Sequence, residues 1–161
     1  MHVVVSDTSP IRALHHLGLL PLLGKLFSQI IIPPAVQNEL NSPPPQLQVV
    51  DLSNFDFVKI RAPQDTAHVE QLFGVLDIGE AEALVVALES NAQAMLVDEL
   101  AGRREAARCG LEAIGTLGIL LRGKANGHLL EIRPLIDRLM DETGFFVSLT
   151  LKSGVLKLAG E

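Results

Sequence analysis

The stretch Val3-Val4-Val5-Ser6-Asp7-Thr8-Ser9-Pro10 decides the fold. Three β-branched residues bounded by polar ones read as a short strand buried on both faces. Ser9 then offers a capping side chain and Pro10 the fixed φ of a first helical position, so a helix is expected from there. A strand that passes straight into a helix opens a βα unit, and the rest of the chain repeats that pattern. Ile30-Ile31-Ile32 is a second buried strand, stopped by Pro33-Pro34. The second proline opens a helix through Leu40, with Val36 and Leu40 on one face. Ser42-Pro43-Pro44-Pro45 is the clearest loop. Residues 49–60 hold one or two short or edge strands, and 66–73 a weak helix. Asp77-Ile78-Gly79-Glu80 fits a capping box and starts a helix running to about Ser90. Strands are expected at 94–97 and 112–114, and helices at 19–27, 100–108, 117–124, 131–142 and 150–158. Alternating strands and helices favour an α/β architecture, a mainly parallel sheet flanked by helices on both faces. With no linker and no internal repeat, residues 1–161 form a single domain.

Composition narrows the function. The 161 residues are 48% hydrophobic and 20% charged, enough apolar material for one core and too little charge for a disordered chain. Nineteen acids against thirteen Lys and Arg give a formal charge of −6, which argues against a general basic nucleic-acid coat. Trp and Tyr are absent, so base-stacking platforms are scarce and a nucleic acid would be gripped by its backbone. No apolar run approaches the roughly 18 residues of a membrane span, and the first residues show no signal-peptide core. A soluble, cytoplasmic protein is expected. The single cysteine, Cys109, forms neither an internal disulfide nor a Cys-based zinc site, and reads as a small buried apolar residue.

In open α/β sheets ligands bind at the carboxyl ends of strands. Asp7 follows the first strand there and Asp98 directly follows Val97. Glu39 lies near the end of the helix after the Ile30–Ile32 strand, and Glu80 and Glu82 in the first turns of a later helix. The fold is able to gather acids from these four places over one sheet edge. Gathered carboxylates repel each other and rise in pKa unless a cation neutralises them. Magnesium or manganese suits that role, activating water and stabilising charge on a phosphodiester. Each acid also has an ordinary structural reading. Asp7 and Asp98 cap the helices that follow, Glu80 serves the capping box, and Glu39 is one charge on a solvent-facing helix side.

Several blocks resemble one family. Val4-Val5-Ser6-Asp7-Thr8-Ser9-Pro10-Ile11 is similar to the opening of PIN-domain proteins. Residues 31–40, Gly79-Glu80-Ala81-Glu82-Ala83-Leu84, Leu96-Val97-Asp98-Glu99 with Gly102-Arg103-Arg104, residues 114–121 and Gly144-Phe145-Phe146-Val147-Ser148 resemble later blocks, in the same order. They look most like a PIN-like branch found in bacteria and archaea. The resemblance implies a metal-dependent ribonuclease using Mg2+ or Mn2+, in many small relatives the VapC-type toxin of a toxin-antitoxin pair. It implies single-stranded or structured RNA as substrate, a small antitoxin as partner, and a homodimer. By the same resemblance Asp7, Glu39 and Asp98 fall on three acidic metal-site positions. Counting back from Asp98 puts Glu80 on the fourth, with Glu82 as its rival. The sequence departs from the family by carrying Glu there in place of Asp. It departs again with Val97 before Asp98, where a polar residue often stands.

Arg103, Arg104 and Arg108 follow Asp98 on one helix and either meet substrate phosphates or form a solvated face neutralised by Glu105 and Glu112. Thr116 either touches a phosphate or water near the metal or caps the next helix. His15 and His16 point about 100° apart on a helix and do not share an ion. Phe145-Phe146-Val147 and the last helix read as core first, as a dimer or partner surface second. Two other classes remain: a non-catalytic PIN-like binding module without productive metal binding, and a metal-dependent phosphohydrolase acting on small esters. If Asp7, Glu39, Glu80 and Asp98 share a site, they account for four of the six net negative charges, and the acidity becomes local rather than a bar to RNA.

Overall fold

The fold is seen in a computed structural model that describes residues 2–161. Five strands form one parallel sheet: β1 (Val3–Ser6), β2 (Gln29–Ile32), β3 (Val58–Ile60), β4 (Ala94–Leu96) and β5 (Glu112–Ile114). Their order across the sheet is β3-β2-β1-β4-β5. Val4 pairs with Ile30 on one side and Ala94 on the other, so β1 is the central strand. The chain fills the sheet outward from β1 in one direction, then returns and fills it in the other. The direction reverses between β1 and β4, where such sheets open a crevice at the strands' carboxyl ends.

The runs of Val and Ile are explained by burial on both faces. Val4, Ile30, Ile32, Ala94 and Leu96 belong to one apolar cluster, which packs α1 (Thr8–His16), α2 (Leu20–Leu26), α7 (Thr116–Ala125), α8 (Arg133–Thr143) and α9 (Leu149–Leu158). Val5, Ile31, Met95 and Val97 point the other way, against α5 (Ile78–Glu89) and α6 (Leu100–Arg108). Each fully buried Val, Leu or Ile adds about 1.5–3 kcal/mol. α3 (Pro34–Asn41) and α4 (Thr66–Gln71) complete the helices found among the described residues. The two edge strands each carry a charge, Lys59 on β3 and Glu112 on β5, which discourages pairing with another sheet.

Most expected elements are present within a residue or two, and three readings need correction. α1 starts at Thr8 with Asp7 in the cap position, so Pro10 sits in its first turn and Ser9 is not the cap. Residues 49–60, expected to hold one or two short or edge strands, hold one, the edge strand β3. Cys109 is exposed, because α6 ends there in a turn that faces outward. The Phe pair splits between α8 and α9: Phe145 packs against the core, Phe146 is 87% exposed and Val147 is buried again. α8 ends at Gly144, whose φ of 71° is the left-handed conformation that glycine adopts freely. Its other end has no cap of its own. The Glu161 carboxylate accepts the N–H groups of Ile132 and Arg133 and pairs with Lys124. The Ile132 amide and these neighbours hold that carboxyl down at about 2. Among the described residues no helix is long and apolar enough to cross a membrane.

Candidate metal centre

Three consecutive residues at the start of α1 reach three different parts of the molecule. The Asp7 backbone N–H donates to Leu96 O at 2.9 Å, which fixes the β1 end against β4 and buries the Asp7 side chain. The Thr8 hydroxyl donates to Glu39 Oε2 on α3. The Ser9 hydroxyl donates to Asp98 Oδ2 at 3.0 Å. Asp98 also accepts the Thr116 backbone N–H on Oδ1 and the Thr116 hydroxyl on Oδ2, both at 2.7 Å. Thr116 is fully buried and Gly115 occupies the cap of α7, so the threonine neither caps that helix nor faces substrate. It orients Asp98.

Glu39 is held from the other side by Arg12. One guanidinium nitrogen donates to Glu39 O at 2.7 Å and another to Gln48 O at 2.9 Å. The Glu39 carbonyl belongs to the last turn of α3, where helices leave acceptors unpaired. Arg12 thus closes the end of α3 and ties the loop after the three prolines to α1.

These side chains line one open groove of about 1500 Å³ at the β1/β4 switch, shared by Asp7, Glu39, Asp77, Asp98 and Arg103. Gly79, in the first turn of α5, sits beneath its acidic end. A Cβ at Gly79 would meet Glu39 Oε1 at 2.8 Å, Asp7 Oδ1 at 3.3 Å and Asp77 Oδ1 at 3.5 Å. Carboxylate oxygens from β1's end, α3 and α5 therefore border one small space that only a glycine leaves open. Among the described residues no three Asp, Glu, His or Cys side chains are already drawn together enough to hold an ion. An all-oxygen, negatively charged and partly buried donor set fits a hard divalent cation.

The electrostatics match. Burial pushes the Asp7 carboxyl up to about 8, and the charges of Asp77, Glu80 and Glu39 push in the same direction. Burial raises Glu80 to about 7, with Asp77 and Glu99 adding repulsion.

A sequence model described as PIN domain matches residues 3–161. The chain belongs to the PIN-domain family. No curated protein matches it. PIN domains are generally nucleases and typically use divalent metal ions.

Within this PIN domain the remaining candidates separate clearly. Glu80 is buried in the capping box: its Oε1 accepts the Asp77 N–H at 3.2 Å while Asp77 Oδ1 accepts the Glu80 N–H at 2.8 Å. Its Oε2 has no hydrogen-bond partner and lies against Gly102, whose added Cβ would meet it at 2.8 Å. Glu82 turns to α3, where its Oε1 accepts the Ala35 N–H at 3.0 Å. Arg103 stands in the groove near Asp98 and donates to Val97 O at 3.3 Å. Arg104 is exposed and outside the groove, Arg108 pairs with Glu105, and Glu112 pairs with Arg122. Asp77 and Arg12 were not singled out as site residues by sequence. Asp77 reads there only as a cap, and the carbonyls that Arg12 binds lie 27 and 36 residues away.

Proposed function

We propose that this PIN domain hydrolyses RNA phosphodiester bonds with Mg2+ or Mn2+, and that Asp7, Glu39, Asp98 and an acid at the start of α5 hold the ion. The observation that carries this reading is the space above Gly79, bordered by carboxylate oxygens from three elements at the floor of an open groove. The bound cation supplies charge neutralisation for the phosphodiester and a water of lowered pKa. The chain's own residues do the rest. Thr8 and Arg12 fix Glu39, Ser9 and Thr116 fix Asp98, and burial keeps Asp7 from ionising until a positive charge arrives. Arg103 presents the groove with a guanidinium suited to a backbone phosphate, which positions a strand without reading its bases.

The toxin role, a small antitoxin partner and a homodimer rest on the family resemblance. Exposed Phe146, Leu149 and Leu151 give such a partner an apolar surface beside the groove. A cytoplasmic location belongs to the same proposal.

One observation favours a second reading, the non-catalytic binding module: the carboxylates border a shared space without closing on it. Cleavage of single-stranded RNA, with and without Mn2+, tests the first reading on wild type and on the Asp7→Asn/Asp98→Asn double variant. Mn2+-dependent cleavage by wild type alone supports it. Equal cleavage by both proteins sinks it.

A further inference from the structure

The chain offers two acids at the start of α5, and the fold treats them oppositely. Glu80 stands behind the groove wall, buried, with Oε1 on the Asp77 amide and Oε2 against Gly102. Asp77 stands one turn earlier on the groove wall itself, exposed. Its Oδ1 is one of the three oxygens bordering the space above Gly79, with Asp7 Oδ1 and Glu39 Oε1.

We propose that Asp77, rather than Glu80, supplies the α5 ligand of the divalent cation, and that Glu80 is a positioning residue for it. This rests on the metal-dependent reading above and names the ligand within it. Asp77 has the capacity. An ionised carboxylate offers about four lone-pair sites, and the Glu80 N–H occupies one of them. Glu80 fixes the same ligand from behind by binding the Asp77 N–H. The box therefore anchors Asp77 at side chain and backbone together, as outer groups commonly orient a metal ligand. Gly79 completes the arrangement, because any side chain there would fill the space that Asp77, Asp7 and Glu39 border.

The capping chemistry makes the test clean. Asn caps a helix about as well as Asp, and Gln replaces Glu in a capping box, so Asp77→Asn and Glu80→Gln remove charge while keeping the helix start. Mn2+ binding to the metal-free full chain is measured by calorimetry for wild type and both variants, alongside their metal-free melting temperatures. Asp77→Asn is expected to weaken Mn2+ by at least about tenfold with little change in melting, and Glu80→Gln by less than about threefold. Should Asp77→Asn melt early, Asp77→Ser keeps a cap without a carboxylate and replaces it in the comparison. Wild-type affinity in Asp77→Asn, or a loss in Glu80→Gln as large as in Asp77→Asn, overturns the assignment and leaves the metal reading standing. No Mn2+ uptake by wild type at millimolar metal overturns both.

Discussion

The two sides of the groove are built on opposite principles. Around Asp98 the side-chain oxygens are supplied with donors: the Ser9 hydroxyl and the Thr116 amide and hydroxyl. Around Asp7 burial raises the carboxyl to about 8; the Thr8 N–H opposes that, and the acidic Asp77, Glu80 and Glu39 reinforce it. The Asp98 side is preorganised and electrostatically satisfied in the metal-free chain. The Asp7 side is kept protonated chiefly by burial, and a cation would displace that proton. Under the metal-dependent reading proposed above, one side holds geometry and the other supplies the drive to bind.

The largest expected effect comes from disarming the Asp7 side. Asp7→Asn should lower metal-dependent cleavage by about a thousandfold or more, equivalent to the several kcal/mol that metal-held charge stabilisation supplies. The same substitution should raise the melting temperature of the metal-free protein, since it removes a buried carboxyl from among like charges. A lower melting temperature would show that Asp7 is a structural anchor and erase the contrast.

Acidity provides the next test. An unfolded Asp releases its proton near 3.8, whereas folded Asp7 keeps it to about 8. Between those values the folded state binds more protons than the unfolded state, so metal-free stability falls as pH rises. The stabilising difference is complete below pH 4 and lost through pH 8. A drop of a few kcal/mol, of order 10 °C in melting, is expected between pH 5 and 8. Mn2+ should restore stability most strongly at the alkaline end, because binding displaces the proton. Thermal melts that are flat across this range, with and without Mn2+, would remove that drive.

On the satisfied side, Thr116→Val keeps the shape and deletes the hydroxyl donor to Asp98. It should cost about 1–2 kcal/mol of stability and about 10- to 100-fold in cleavage, with little change in the pH dependence. A changed pH profile would mean that the two sides are electrically coupled. The smallest effect is expected for Arg103→Gln. It should weaken RNA affinity by up to about tenfold and reduce its salt dependence by about one counterion, measured by titration across ionic strengths. An unchanged salt slope would take Arg103 out of the phosphate path.

Much of this was legible in the sequence because it depends on local pattern. Val3-Val4-Val5 and Ile30-Ile31-Ile32 are apolar at every position since both sheet faces are covered, and no amphipathic strand reads that way. The Asp77–Glu80 box was visible because its two hydrogen bonds span three residues. What escaped depends on distant partners. Ser9 beside Pro10 looks like a cap by every local rule, yet its hydroxyl serves Asp98, 89 residues on. Thr116 was open between cap and ligand contact, and only the return of β5 beside β4 brings it to Asp98. Asp77 became a groove residue once α5 was laid against α3. Cys109 is exposed although its residue type favours burial, because residue type does not say which way the last turn of a helix faces.

The succession Asp7-Thr8-Ser9 has a consequence for how the site fails. Asp7 caps α1 in extended backbone while Thr8 and Ser9 are its first helical residues, and this succession aims one side chain at the groove, one at Glu39 and one at Asp98. Insertion or deletion of a single residue here would misdirect all three at once, while leaving the core strands in register. Damage at this turn is correlated: the site is lost as a unit rather than ligand by ligand. Elsewhere in the groove a substitution dims one group. Here the chain has a single keyed shaft, and shifting it by one notch disengages every tooth.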